Sequence, residues 1–277
     1  MEKHLLRSQL AAFLAEDIGR GDLTSESIFP PEQIGAARLV ARQECLAAGV
    51  TAVAAEVFHV QNKAIACEGC LADGEAVAPG MAMMTVRGPV VDLLKAERVA
   101  LNLLQRLCGI ATLTSQYVRL VAGTKAQIVD TRKTTPGLRL LEKYAVTVGG
   151  GRNHRYNLAD GVLVKDNHIA ACGGIATAVA RLRQRIPHTL RIEVECDSLE
   201  QVADCLACGV DCILLDNMTT DTLRQAVAMV AGRALTEASG GVNLKTVAAI
   251  ANTGVDLISV GAITNSASHC DIGMDWL

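Results

Sequence analysis

The stretch Leu190-Arg191-Ile192-Glu193-Val194-Glu195, followed by residues 199–208 and then by Cys212-Ile213-Leu214-Leu215-Asp216, decides the fold. The first and third segments are short aliphatic runs bounded by polar residues, which is typical of strands, and the second has the spacing of a helix. A strand, a helix and another strand over this length form the repeating unit of parallel α/β proteins. The stretch therefore predicts a parallel barrel or an open wound sheet.

The same unit recurs through the second half of the chain. Four further runs have the composition of strands, at residues 126–130, 161–164, 234–237 and 257–261. Helical spacing occurs between them at residues 175–185, 222–230 and 244–251. The first part of the chain lacks this repeat and instead predicts a helix at 5–14, a strand at 36–42, turns at 73–89 and a connecting helix at 91–121. We therefore expect a smaller N-terminal α/β domain before the repeating units.

Charged residues stand at the ends of five successive runs: Arg132 with Lys133, Lys165, Glu195, Asp216 and Glu237. In a βα barrel the carboxyl ends of all strands meet on one face, where such enzymes hold their reacting groups. One charged strand end is ordinary, because a strand must emerge into water somewhere. Five in succession, with both signs of charge, predict a functional site.

Glu193 and Glu195 alternate with aliphatic residues, so the strand presents both carboxylates on one side. If the aliphatic residues face the covering helices, both carboxylates point into the barrel. An unpaired charge there is costly, so each glutamate needs a cationic or metal partner. Lys133 and Lys165 are the candidates.

Cationic residues are concentrated between positions 130 and 168, although the formal net charge of the chain is −3. This segment contains Arg132, Lys133, Arg139, Arg152, Arg155 and Lys165, with His154 and His168. Arginine offers a planar fork and lysine a compact charge to carboxylate and phosphate groups. The segment therefore indicates a small, strongly anionic ligand. A solvated surface is the alternative, but it does not explain why each basic cluster follows an apolar run.

Glycine-bearing turns follow the last two runs, at Ser239-Gly240-Gly241 and at Gly261. Barrels commonly bind phosphate at this position through backbone N–H groups, which glycine allows to approach closely. A plain turn is the alternative interpretation of Ser-Gly-Gly alone.

Motifs spread along the chain occur in one order, including Asp130-Thr131-Arg132-Lys133-Thr134, Lys165-Asp166-Asn167-His168 and Glu237-Ala238-Ser239-Gly240-Gly241. Others lie at residues 16–25, 97–102, 149–155, 193–195, 215–218 and 260–264. Together they resemble the quinolinate phosphoribosyltransferase family, also called nicotinate-nucleotide pyrophosphorylase (carboxylating). The resemblance extends from about residue 16 to residue 275.

The resemblance implies an α/β fold with an incomplete (βα) barrel of TIM-like type at residues 111–268. It also implies an N-terminal α/β sandwich domain at residues 1–110, against which the tail 269–277 packs. The implied reaction joins quinolinate to phosphoribosyl pyrophosphate, releases pyrophosphate and carbon dioxide, and gives nicotinate mononucleotide for NAD biosynthesis. The implied assembly is a homodimer with active sites shared between subunits, and higher assembly stays open.

The resemblance also implies roles for individual residues. Catalytic roles fall to Lys133, Lys165, Glu195 and Asp216, and the last two would hold the ribose hydroxyls directly or through Mg²⁺. No organic cofactor is implied. Substrate binding falls to Arg98, Thr131, Arg132, His154 and Arg155, with Arg98 reaching the site of the partner subunit. The 5′-phosphate would lie against Ser239, Gly240, Gly241 and Gly261.

Three alternatives stay open. A related barrel group associated with molybdenum transport shares the Asp-Thr-Arg-Lys motif, but the Lys-Asp-Asn-His signature favours the pyrophosphorylase. A barrel lyase would use Lys165, or else Lys133, as a Schiff-base nucleophile. A non-catalytic sensor of an anionic metabolite has little need for Glu195 and Asp216 beside the cations.

Composition excludes other classes of protein. Residues 10–14 are too short an apolar run for an export signal, and no stretch reaches the roughly 18 apolar residues of a membrane span, so we expect a cytoplasmic protein. Residues 67–70 and 205–208 have metal-like cysteine spacing, but the cysteines are better interpreted as small buried residues of a reducing compartment. Three Phe, three Tyr and one Trp provide no aromatic platform for nucleic acid.

Overall fold

The computed structural model describes residues 2–277, and the chain divides into two compact units. The first unit contains the chain up to Leu113 together with Leu140–Gly149 and Ala267–Leu277. The second contains Thr114–Arg139 and Gly150–Ser266. No helix among residues 2–277 combines the length and apolar character needed to cross a bilayer.

The helices are, in chain order, α1 (Lys3–Ile18), α2 (Leu23–Ile28), α3 (Ala55–Gln61), α4 (Val90–Leu120), α5 (Arg139–Val148), α6 (Asp166–Cys172), α7 (Ile175–Arg183), α8 (Leu199–Cys208), α9 (Thr220–Val230), α10 (Val247–Ala251) and α11 (Ala262–Asn265). A π-helical turn, Val50–Ala54, precedes α3. The strands are β1 (Ile34–Ala41), β2 (Cys45–Leu46), β3 (Ala66–Glu68), β4 (Ala76–Val77), β5 (Ala82–Pro89), β6 (Gln127–Val129), β7 (Val162–Val164), β8 (Ile192–Cys196), β9 (Cys212–Asp216), β10 (Leu235–Ser239), β11 (Leu257–Ser259) and β12 (Ile272–Trp276).

The second unit is built on six parallel strands in the order β6-β11-β10-β9-β8-β7. A single residue, Arg152, bridges to Val129 on the other side of β6. Its N–H donates to the Ile128 carbonyl at 2.9 Å, and its own carbonyl accepts from the Asp130 N–H at 3.1 Å. Because no strand pairing joins this bridge to β7 in the described residues, the barrel has a seam and is incomplete, as predicted.

The helices between the barrel strands follow the predicted spacing, and side-chain caps set where two of them begin. Ser198 accepts from the Gln201 N–H ahead of α8, and Thr219 accepts from the Thr222 N–H ahead of α9. The predicted helix at 244–251 starts later, at Val247. Residues 243–246 form a turn instead, because the Asn243 side chain accepts from the Lys245 and Thr246 N–H groups.

The first unit contains an antiparallel sheet in the order β12-β1-β5-β3. The turns predicted at residues 73–89 are wrong for the second half of that range, where β5 forms. Met83, Met84 and Val86 of β5 are buried, so burial of its apolar residues outweighs the turn tendency of Gly88-Pro89. A residue larger than glycine at position 88 would crowd its neighbour, because an added Cβ would lie 2.8 Å from Ile65 Cγ1.

The last part of the chain lies against α4. The Cys270 N–H donates to the Gln105 carbonyl at 3.0 Å, and Gln105 Nε2 donates to the Ile272 carbonyl at 2.7 Å. Arg106 Nη1 donates to the Ala267 carbonyl at 2.9 Å. Gly109 faces this segment so closely that an added Cβ would lie 2.0 Å from the Ser268 carbonyl oxygen.

The predicted domain boundaries put residues 111–268 in one domain, but Leu140–Gly149, most of α5, clusters with the first unit. The physical reason is its buried face. Glu142 is fully buried and pairs with Arg106 of α4 at 2.9 Å. A buried carboxylate of this kind must stay beside its cation, so α5 associates with the unit that supplies the arginine.

Candidate active site

The carboxyl ends of the barrel strands enclose a cavity of about 550 Å³. We call it the carboxyl-end cavity. It is lined by Thr131, Arg132, Lys133, His154, Arg155, Leu163, Lys165, Glu195, Leu214, Asp216, Asn217, Glu237, Ser239, Gly240, Gly241 and Ser259. These residues include every predicted site residue except Arg98, which lies on α4, and Gly261, where an added Cβ would lie 3.0 Å from Lys133 Cδ.

One predicted ion pair crosses this cavity. Lys165 Nζ donates to Glu195 Oε2 at 2.6 Å, which confirms the expected partner of that glutamate. The Lys165 N–H donates to His168 Nδ1 at 2.9 Å, so the histidine of the Lys-Asp-Asn-His motif caps α6 and fixes the backbone of Lys165. The lysine is therefore held at the end of β7 by its own motif.

The loop after β6 carries Arg132 and Lys133 and is held from two directions. The Lys133 N–H donates to Thr131 Oγ1 at 3.0 Å, and Thr264 Oγ1 donates to the Lys133 carbonyl at 2.9 Å. Arg139 Nε donates to Thr134 Oγ1 at 2.9 Å, and its Nη1 donates to the Tyr156 carbonyl at 2.9 Å. Arg139 thus ties the loop after β6 to the segment that carries Arg155.

A histidine and two glutamates meet inside the barrel, below these cations. His154 Nε2 lies 3.0 Å from Glu193 Oε2 and 3.7 Å from Glu237 Oε2. His154 Nδ1 accepts from the Arg155 N–H at 2.8 Å, and the His154 N–H donates to Asp130 Oδ1 at 2.8 Å. The partner of Glu193 is therefore His154, so the expectation that a lysine would pair with this glutamate is wrong. The Arg152 bridge to Val129 places the segment that carries His154 alongside β6, and the His154 ring lies within hydrogen-bond distance of Glu193.

Burial shifts the pKa values of two groups around this cluster. Removal from water and the nearby charge of Glu193 raise the pKa of Glu237 to about 7, against a smaller opposing effect of His154. Burial and the repulsion of Arg132 lower the pKa of Arg155, whose Nη1 donates to the Gly161 carbonyl at 2.8 Å. The floor of the cavity thus holds a carboxyl group that keeps its proton up to near-neutral pH.

Gly240 lets the loops after β9 and β10 approach each other. Asn217 adopts a left-handed conformation (φ 53°), its N–H donates to the Ser239 carbonyl at 2.9 Å, and its Nδ2 donates to Asp216 Oδ2 at 2.7 Å. A Cβ on Gly240 would lie 2.2 Å from Asn217 Oδ1 and 2.9 Å from the Asn217 backbone nitrogen. The glycine is therefore required for packing beside Asp216, apart from any role toward phosphate.

Three contributors were not assigned a role from the sequence. Arg139 was counted only as a cation, Asp130 as part of a motif, and Glu237 as a charged strand end. The sequence could have indicated a role for two of them from their position, since Asp130 directly follows one barrel strand and Glu237 lies within another. The side chains that hold a site in place commonly come from such positions.

The fold and the cavity together define a parallel α/β-barrel enzyme whose strand ends combine arginines and lysines with carboxylates, an arrangement suited to anionic substrates.

Comparison with known proteins identifies the family. The model of the quinolinate phosphoribosyl transferase N-terminal domain matches residues 22–108, and that of the C-terminal domain matches residues 110–275. A nicotinate-nucleotide pyrophosphorylase (carboxylating) of Mycobacterium leprae is 43% identical over 276 residues, covering 97% of this chain and 96% of the relative. A mitochondrial quinolinate phosphoribosyltransferase (decarboxylating) of Nicotiana glauca is 38% identical over 288 residues, covering 97% of this chain and 81% of the relative.

Solved structures agree with this assignment. A nicotinate-nucleotide pyrophosphorylase from Ehrlichia chaffeensis superposes with a TM-score of 0.92 at 41% identity, covering 100% of this chain and 99% of that one. The corresponding protein from Francisella tularensis gives a TM-score of 0.94 at 35% identity, covering 100% and 98%. The chain belongs to the quinolinate phosphoribosyltransferase family, which confirms the resemblance found in the sequence.

Proposed function

We propose that this protein transfers the phosphoribosyl group of phosphoribosyl pyrophosphate to quinolinate, with loss of carbon dioxide, to give nicotinate mononucleotide and pyrophosphate. The observation that carries the proposal is the carboxyl-end cavity, in which Arg132, Lys133 and Arg155 lie together with the Lys165–Glu195 pair. Membership of the family supplies the reaction. The product places the enzyme in the biosynthesis of NAD.

The cations of the cavity match the charge of the two substrates. Quinolinate carries two carboxylates, and phosphoribosyl pyrophosphate carries a phosphate and a pyrophosphate. Arginine forks suit the carboxylates and lysine charges suit the phosphates. We assign Thr131, Arg132, His154 and Arg155 to quinolinate, together with Arg98 supplied by a partner subunit. Both ring nitrogens of His154 are engaged by protein groups, so we expect its contribution to come chiefly through placing Arg155.

The carboxylates of the cavity match the charge that develops during transfer. As pyrophosphate leaves, the anomeric carbon becomes cationic, and a fixed carboxylate near the ribose stabilises that charge more than it stabilises the ground state. Glu195 and Asp216 are assigned this task. Lys165 holds Glu195 at 2.6 Å, and Lys133 and Lys165 would balance the leaving pyrophosphate.

Two further groups complete the proposed site. Ser239, Gly240, Gly241 and Gly261 are assigned to the 5′-phosphate, since positive φ values at Gly240 and Gly241 turn the backbone after β10. Glu195 and Asp216 line the same cavity and offer carboxylate oxygens, which are the ligands that Mg²⁺ takes beside substrate phosphates. When bound, Mg²⁺ would neutralise part of the charge of the pyrophosphate.

We also propose a cytoplasmic homodimer with shared active sites. All ten cysteines are free thiols in the structure, which suits a reducing compartment. The alternative of a Schiff-base lyase is disfavoured because Lys165 Nζ is engaged by Glu195. Borohydride trapping of a carbonyl substrate on Lys165 would favour that alternative.

The test is to incubate the purified protein with phosphoribosyl pyrophosphate, Mg²⁺ and either quinolinate or nicotinate, and to measure nicotinate mononucleotide. Nicotinate lacks the 2-carboxylate and would leave a cation of the site unpaired, which costs a few kcal/mol. We therefore expect kcat/KM for quinolinate to be higher by at least about 10²-fold. Arg155→Ala should narrow this ratio by weakening quinolinate binding. Equal turnover of the two acids by the wild-type enzyme would refute the assignment.

A further inference from the structure

The barrel has a second cavity, of about 710 Å³, at the opposite end from the proposed substrate site. Its lining includes the first residue of five barrel strands: Gln127, Val162, Cys212, Leu235 and Leu257. We call it the amino-end cavity, because these positions mark the amino ends of parallel strands. The barrel interior is therefore hollow at both ends rather than filled through its length.

Three residues line both cavities: His154, Arg155 and Glu237. They form the wall between the two spaces. Glu237 lies in the third position of β10, between Leu235 of the amino-end cavity and Ser239 of the carboxyl-end cavity. The Glu237 side chain is therefore part of the lining of both cavities.

The surroundings of the Glu237 carboxyl group favour its protonated form. The residue is 1% exposed, and among residues 2–277 its Oε1 atom has no hydrogen-bond partner. Glu193 of β8, Cys212 of β9, Ser259 of β11 and the ring of His154 face it, and Cys212 Sγ itself donates to Glu193 Oε1 at 3.3 Å. Burial and the charge of Glu193 raise the pKa of Glu237. An uncharged acid is also the form best tolerated next to a doubly charged substrate.

The proposed reaction needs such an acid. When the bond between the pyridine C2 and its carboxylate breaks, carbon dioxide leaves and the bonding electron pair stays on C2. That pair must take up one proton to form the C2–H bond of nicotinate mononucleotide. In the proposed function both anionic substrates occupy the carboxyl-end cavity, whereas the amino-end cavity lies on the other side of Glu237.

We propose that Glu237 donates the proton to C2 and regains one from water in the amino-end cavity. The step balances, since the carboxyl O–H bond breaks as the C2–H bond forms, and the resulting carboxylate is reprotonated by solvent. The inference rests on the proposed function, because it assigns a source for a proton that only decarboxylation consumes. A general acid of this kind contributes about 10²-fold or more to the rate.

The test compares Glu237→Gln with wild type, with Glu237→Asp as the variant that keeps an acid and Glu200→Gln, at an exposed position of α8, as the matched control outside both cavities. The glutamine variant should lose at least about 10²-fold in kcat, while the binding constants of both substrates change by less than about threefold. The aspartate variant should recover part of the loss, and the Glu200→Gln variant should retain kcat. Wild-type kcat should fall as pH rises above about 7, where the acid loses its proton, and this limb should be absent in Glu237→Gln.

A second readout does not depend on which step limits the rate. In mixed H₂O and D₂O, the H/D ratio at C2 of the product reports the proton donor, and it should differ between wild type and Glu237→Gln. An unchanged ratio together with an unchanged kcat would overturn the proposal. If the glutamine variant does not fold, a wild-type kcat that stays constant from pH 7 to 9 overturns it equally. Absence of nicotinate mononucleotide in the wild-type reaction would instead refute the proposed function itself.

Discussion

Replacing Gly109 by alanine should destabilise the first unit through its C-terminal segment. The new Cβ would lie 2.0 Å from the Ser268 carbonyl oxygen and 3.1 Å from its carbon. Carbon and oxygen atoms that are not bonded approach to about 3.3 Å at closest, so the segment must retreat by more than about 1 Å. Both partners of the clash are backbone or helix atoms, and no side-chain rotation relieves it.

The magnitude follows from the contacts that hold this segment. Three hydrogen bonds fix it to Gln105 and Arg106 of α4, at 2.7 to 3.0 Å. Each is worth about 1 kcal/mol net, so the retreat should cost about 2–3 kcal/mol. The higher helix propensity of alanine should offset about 1 kcal/mol of this loss in the free energy of unfolding. We expect a net loss of about 1–2 kcal/mol, within the usual range for overpacking.

The assay uses the single tryptophan of the chain, Trp276, which lies in β12 at the end of the same segment. Urea unfolding followed by its fluorescence should show a lower midpoint for Gly109→Ala. Asn102→Ala, at an exposed position of the same helix, controls for helix propensity and should leave the midpoint unchanged or slightly raised. A midpoint for Gly109→Ala equal to or above that of wild type would show that the segment does not lie against residue 109.

Two further predictions concern the active site. Glu195→Gln should lower kcat by roughly 10²-fold with a smaller effect on substrate binding, because the carboxylate acts on charge that appears only as pyrophosphate leaves; steady-state kinetics with near-normal kcat would contradict this role. Arg98→Ala and Lys165→Ala should each be nearly inactive as pure proteins, whereas mixing them under subunit exchange should restore activity to roughly one quarter of wild type, because half of the dimers would contain one intact shared site. Differently tagged chains would verify the exchange, and a mixture that stays inactive would assign Arg98 to its own chain.

The barrel could be predicted from the sequence because several strands, such as Val162–Val164 and Cys212–Asp216, are aliphatic runs that end at or just before a charged residue. The stretch Ile192–Cys196 shows this best, since its alternation also predicted that Glu195 would face a cation. The first unit was harder, because β5 ends in Gly88-Pro89 and so looks like a turn until its buried neighbours are known. Local composition was enough to predict the barrel strands, whereas β5 could be recognised only from its tertiary contacts.

The wall inside the barrel could not be predicted for a related reason. Glu193 took His154 as its partner, and His154 comes from a segment that joins the barrel through a single bridging residue. No periodicity marks such a segment. Side-chain charge alone therefore predicted a lysine as the partner of Glu193. The backbone path of residues 152–155 places His154 there instead.

The seam of the barrel has one more consequence. In a regular strand, neighbouring residues point to opposite faces, so His154 and Arg155 could not both face inward. Here pairing is limited to Arg152, and both His154 and Arg155 line the carboxyl-end cavity. The absence of regular strand pairing after Arg152 therefore allows two consecutive side chains to face the cavity, where a regular strand would present only one of them.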